Sequence, residues 1–288
     1  MERLTAVLKR TSVLSLLAVL GIWGAVPPAQ GQALVPYVLP LDYSRLEEQG
    51  LILAQEAVQL AQFQQFGPAL ERAQLASQLA PGSAQVWSLL GTLYLQFEEV
   101  DQAIPALERA KGLEPNNASV LFSLGSAYFQ KGEYLRAASF IEQGLAIEPS
   151  NAGAMFDLGN AYFKLKQYQK AINQYEASVR TEPEFWPSVN NIGLVLFEQG
   201  KPDDAIARWR SSLEIAGDEP EPKLAMAIAL YSKGDRSEAV RLGIEALEQD
   251  SRYADIEFLR DNLWGNRMVE AAQQFFQAPV VKALIAQL

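Results

Sequence analysis

No cysteine and no histidine occurs in the 288 residues. Their absence removes disulfides, thiol nucleophiles, imidazole acid–base steps, serine–histidine triads and the usual zinc ligands together. Basic side chains are in deficit, with 24 against 34 acidic ones and a formal charge of −10. A chain of that sign repels the phosphates of nucleic acid.

One apolar run stands out, Val13 to Ala25, relieved only by Ser15, Gly21 and Gly24. It follows a basic start, Arg3, Lys9 and Arg10, and is stopped by Pro27-Pro28. The run falls short of the roughly 18 to 20 residues that span a bilayer. Small residues at Ala29-Gln30-Gly31 or Gly31-Gln32-Ala33 suit signal peptidase. Residues 1–33 are therefore expected to be a secretory signal, with an uncleaved N-terminal anchor as the alternative. The first reading sends the protein to a periplasm or thylakoid lumen; the second leaves it membrane-anchored. Loss of Arg3, Lys9, Arg10 and Glu2 leaves 21 basic and 33 acidic side chains, a charge of −12. Residues 34–49 are expected to be an extended linker, because two prolines in L-V-P-Y-V-L-P-L-D-Y oppose a helix. The linker either crosses the first repeat with Tyr37 and Leu39 tucked against it or serves as a loose tether.

Beyond the linker a 34-residue period governs the chain. Gly91, Gly125, Gly159 and Gly193 recur at that step, with Tyr94, Tyr128, Tyr162 and Leu196 three residues on. Ala103, Ala137, Ala171, Ala205 and Ala239 keep the step, as do Pro115, Pro149 and Pro183. Six frames fit without insertion: 50–83, 84–117, 118–151, 152–185, 186–219 and 220–253. The first is degenerate, with Ala57 for the glycine, and the sixth has Ser251 for the proline. Within a frame, apolar stripes such as Leu121, Leu124, Tyr128 and Ala137, Ile141, Leu145 predict two helices broken at Lys131-Gly132-Glu133. The glycine and first alanine are expected where the helices cross, and the proline where the second must stop. Residues 254–288 are expected to add a cap helix through Ile256, Leu259 and Leu263, then two helices divided at Ala278-Pro279. Phe275 and Phe276 are expected to fold back on the end of the stack or to be offered to a partner or second copy.

The pattern W-S-L-L-G-T-L-Y at 87–94 with its alanine and proline echoes resembles the tetratricopeptide repeat family. The resemblance implies an all-α, right-handed superhelical solenoid of antiparallel helix pairs with C-terminal capping helices. It also implies a concave groove lined by the first helix of each unit. Its positions here are Ser88, Thr92 and Leu95; Phe122, Ser126 and Phe129; Phe156, Asn160 and Phe163; Asn190, Leu194 and Phe197; Leu224, Ile228 and Tyr231. Phe129, Phe163, Phe197 and Tyr231 form either an aromatic ladder for a peptide or packing between helices. Asn160 and Asn190 are expected to face solvent, where an amide can fix a ligand backbone. The co-chaperone subgroup that holds acidic heat-shock tails is disfavoured. Asn160 and Asn191 match, but Phe156, Glu221 and Ala225 stand where its cations belong.

Other features read as structural. Asn116 and Asn117 suit a helix cap more than glycosylation, Trp186 and Trp209 an inter-repeat core, and Asp203, Asp204, Glu219 and Glu221 exposed helix starts. No catalytic, cofactor or metal set emerges. The expected function is a non-enzymatic scaffold or assembly factor that binds a neutral or basic, partly apolar protein segment in the groove. The layout also resembles envelope assembly proteins and the thylakoid repeat proteins that help build photosystem I. The alternatives are a scaffold that oligomerises through its C-terminal tail and a regulatory subunit of an exported enzyme.

Overall fold

The structure, a computed structural model, describes residues 42–288. The expected signal and most of the expected linker lie outside that range. Among the described residues there are fifteen α-helices and one 3₁₀ turn, and no strand. Twelve helices pair in sequence: α1 (Tyr43–Gln62) with α2 (Phe66–Leu79), α3 (Ala84–Gln96) with α4 (Val100–Leu113), and α5 (Ala118–Gln130) with α6 (Tyr134–Ile147). The series continues with α7 (Ala152–Lys164) and α8 (Tyr168–Thr181), α9 (Trp186–Glu198) and α10 (Pro202–Ala216), and α11 (Pro220–Lys233) and α12 (Arg236–Gln249). Each helix packs on its partner and on its sequence neighbours, as a solenoid requires.

The expected linker ends early. Residue 43 already opens α1, because Asp42 accepts the backbone N–H of Arg45 and the hydroxyl of Ser44 and so caps the first turn.

Two devices start the first helices of the units. Ser83, Asn117 and Asn151, 34 apart, accept the N–H of Val86, Val120 and Ala154 as side-chain caps. In the next two units that position is Phe185 and Glu219, neither of which caps; proline at the first helical positions replaces the cap. Within each unit the turn needs one residue at positive φ, held by Gln64, Glu98, Gly132, Lys166, Gly200 and Gly234 in register. The following N–H then bonds back to the carbonyl five residues earlier, as Glu99 does to Tyr94 at 2.9 Å.

The small residues fix how closely paired helices approach. A Cβ on Gly159 would lie 2.5 Å from the Tyr175 ring, and one on Gly193 2.5 Å from Trp209. Trp209 and Tyr175 are fully buried by this arrangement, which stabilises each unit by roughly 1.5–3 kcal/mol per large side chain. One continuous core runs from Leu95 to Val281, with two smaller clusters under the first two units.

After α12 come the 3₁₀ turn Ser251–Ala254, α13 (Ile256–Asp261), α14 (Asn266–Phe276) and α15 (Pro279–Ile285). The last three do not extend the stack as another unit. α15 lies on α12, while α14 lies across α9 and α11, the first helices of the fifth and sixth units. Phe275 of α14 fills the space above Gly243, where the earlier units place Leu107, Ile141, Tyr175 and Trp209 from their own second helix.

Candidate partner-binding groove

The face formed by the first helices changes character along the molecule. At its N-terminal end α1 and α3 enclose a depression of about 510 Å³, lined by Leu51, Ala54, Gln55, Val58, Gln59, Gln62, Gln85, Val86 and Leu89. Every one of these side chains is uncharged. Leu51 is 38% exposed and Val58 42%. Ser88 and Thr92 lie in this half, Thr92 exposed and donating its hydroxyl to the Ser88 carbonyl at 2.9 Å.

In the middle the expected aromatic ladder turns inward. The Phe122 ring packs on Gly144, which carries no Cβ to exclude it, and the Ser126 hydroxyl donates to the Phe122 carbonyl. Phe156 packs between Tyr175 and Phe185, with ring centroids 5.8 and 5.4 Å away. Phe129 meets Tyr134 at 5.2 Å, Phe163 meets Tyr168 at 6.0 Å, Phe197 meets Trp209 at 6.2 Å and Tyr231 meets Phe275 at 5.3 Å. Each ring finds an aromatic partner on a neighbouring helix, and Phe163 and Phe197 are buried.

The two amides expected in solvent are buried instead. Asn160 Oδ1 accepts the Tyr175 hydroxyl at 2.8 Å and Asn191 Nδ2 at 3.0 Å; Asn190 Nδ2 donates to Asn191 Oδ1 at 3.2 Å. The chain of amides pins α7, α8 and α9 together. Asn190 is 1% exposed and its Oδ1 has no partner. These asparagines are therefore wall, not contact surface.

The C-terminal segment lies over the α9 and α11 end of this face. Trp264 Nε1 donates to Glu221 Oε1 at 3.1 Å. Glu198 accepts the backbone N–H groups of Arg267 at 3.3 Å and Met268 at 2.9 Å, so a carboxylate of α9 caps α14, whose own preceding residue is Gly265. A Cβ on Gly265 would lie 2.3 Å from the Glu198 carboxyl carbon. The Arg267 guanidinium sits 5.9 Å from the Phe197 ring centre. Further out, Arg260, Asp261 and Leu263 form a wall opposite Leu95, Phe129, Tyr134 and Lys164, enclosing about 660 Å³.

Burial in this half perturbs two carboxylates. Desolvation raises Glu221 to about 7, opposed by hydrogen bonds from Trp264 and Asn190. It raises Asp157, at an inward position of α7, to about 6. Glu198, Glu221 and Trp264 are the residues sequence reasoning missed as a set, since they lie tens of positions apart outside any period. Elsewhere Asn117 caps α5, and Asp203 pairs with Lys233 across units. Among the described residues no cluster of acidic side chains is arranged to hold a metal ion, and no helix is long and apolar enough to cross a membrane.

The helix-pair register and this inner face agree with the comparisons. A family model described as the cytochrome c-type biogenesis protein H TPR domain matches residues 41–185, half of the chain, and a tetratricopeptide repeat model matches 156–220. The chain belongs to the tetratricopeptide repeat family. Solved repeat structures share its fold. MamA is 25% identical, with 57% of this chain and 96% of MamA aligned at a TM-score of 0.51. YrrB, described as a TPR protein with an unusual peptide-binding site, is 17% identical over 67% of this chain and 98% of its own, at 0.53. The Cut9–Hcn1 assembly of the APC/C aligns with 81% of this chain and 44% of its own at 17% identity and 0.64. No curated relative matches the sequence. Repeat proteins of this family serve as protein-interaction scaffolds, and the present chain has that architecture.

Proposed function

We propose that the protein is a non-enzymatic scaffold that takes a segment of another protein into the open, N-terminal half of its concave groove. The observation that carries this reading is the uncharged floor of Leu51, Val58 and Leu89 with its glutamine rim, left uncovered by the described residues of a chain with 58 ionisable carboxylates and cationic side chains. Apolar anchors with amides around them fit a partly apolar segment, and the excess of acidic groups over the whole chain favours one that is neutral or basic. The peptide-binding site ascribed to YrrB is a precedent for this use of the fold. The signal-like residues 1–33 support an exported or membrane-anchored location. They also support a role in assembling an envelope complex or a photosystem.

The alternative, oligomerisation through the tail, finds little free surface. Phe275 and Phe276 are buried on the protein's own helices, leaving Val280 and Leu288 exposed. The groove reading is tested by capturing partners from the native membrane fraction with wild-type protein and with Leu51→Asp/Val58→Asp. The double variant keeps its thermal unfolding, since both sites are exposed, and loses the captured protein at least tenfold. Undiminished capture removes the groove from the mechanism.

A further inference from the structure

The C-terminal half of the groove is covered by a segment with the properties of a bound ligand rather than of a further repeat. A seventh unit would stack on α12; α14 instead lies on the inner helices α9 and α11. Its apolar residues Met268, Val269, Ala272, Phe275 and Phe276 fall on one face and are buried, at the spacing of a helix docked in a groove. By itself α14 is incomplete. The residue before it is glycine, no side chain of the segment caps it, and its first N–H groups are satisfied by Glu198 of the groove. The connection is strained as well. Leu263 adopts φ 67°, and outside the unit turns it is the one non-glycine residue at positive φ among the described residues.

We propose that residues 262–276 are a built-in competitor, holding closed a second interaction surface on α9 and α11 that takes an amphipathic helix from a partner. The surface defines the chemistry of that helix. An aromatic N–H donor precedes it to meet Glu221, its first turn is free of a side-chain cap so that Glu198 supplies one, and its apolar side chains repeat at i, i+1, i+4, i+7 and i+8. Displacement frees both carboxylates and lets Leu263 leave the left-handed region. The inference rests on the groove reading above but concerns the other half, which the Leu51 and Val58 substitutions do not touch.

The probe is a fluorescein-labelled synthetic peptide of residues 262–278, titrated by anisotropy against the full chain. Wild-type protein, its groove occupied, binds weakly. Full-length Trp264→Ala/Phe275→Ala, with a loosened segment, binds at least tenfold tighter, and adding Glu198→Ala reverses the gain. A folded double variant that does not bind overturns the proposal, as does equal binding by wild type and variant. So does loss of the whole solenoid in the double variant, which would make α14 part of the common core. Hydrogen exchange on unmodified protein gives an independent reading. Amides of 266–276 open at least tenfold more often than those of α9 and α11; equal protection overturns the proposal. Failure here with intact capture by the N-terminal half leaves the scaffold reading standing.

Discussion

The Tyr175 hydroxyl of α8 donates a 2.8 Å hydrogen bond to Asn160 Oδ1 of α7, inside the wall of the groove. Asn160 also receives Asn191, so one amide oxygen serves two donors. Replacing Asn160 with alanine strands both, at a cost of about 2–3 kcal/mol. Asn190→Ala removes a residue whose oxygen is already unpartnered and costs less. Urea unfolding of the two variants measures the difference, and equal midpoints would contradict the network.

Turn geometry gives a second prediction. Glu98 and Lys166 occupy the left-handed position that glycine holds in three other units. Glu98→Gly and Lys166→Gly should each stabilise by roughly 0.5–1 kcal/mol, and Gly132→Ala should destabilise by about 1 kcal/mol although nothing lies within 4 Å of its missing Cβ. Thermal melts report all three. A stabilising Gly132→Ala would mean that space, not φ, decides this position.

A third contrast concerns close approach. Gly159→Ala drives a methyl into the Tyr175 ring and costs about 1–3 kcal/mol, whereas Gly112→Ala in α4 enters open space and gains about 0.5–1 kcal/mol. Chemical denaturation of the pair should show shifts of opposite sign.

Glu221 sets a pH dependence. Its folded pKa, raised to about 7 from 4.5, means that the native state holds a proton the unfolded state has released between those values. Stability therefore falls as pH rises from about 4.5 through 7, and Asp157 adds to the fall up to about 6. Asp42 and Asp250, lowered by hydrogen bonds to Ser44 and Arg252, act in the opposite sense below pH 3.8. Glu221→Gln should flatten the slope between pH 5 and 7, as followed by the urea midpoint. An unchanged slope would show that this carboxyl is not proton-linked to folding.

The repeat architecture is legible because each unit restates the same local rules. A small residue at Gly91 or Gly125, an alanine at Ala103 or Ala137 and a proline after the second helix say the same thing four or five times over. The facing of the groove residues is not legible. Asn160 and Asn190 sit at groove positions by register, yet both are buried, Asn160 bonded to Tyr175 and Asn191 and Asn190 to Asn191, a network that the 34-residue period does not announce. Phe122 likewise turns away because Gly144, on the next helix, leaves room for it. The start of α1 at Tyr43 was obscured by the prolines before it, although Asp42 followed by Ser44 and Arg45 carries the cap.

A groove open at both ends lets a bound chain slide. Here Arg260, Asp261 and Leu263 stand across the inner face opposite Phe129 and Lys164, beyond the uncharged half. On the groove reading proposed above, a segment entering over Leu51 and Val58 would meet a stop after a fixed run, and the wall would make the uncharged half a length gauge for it.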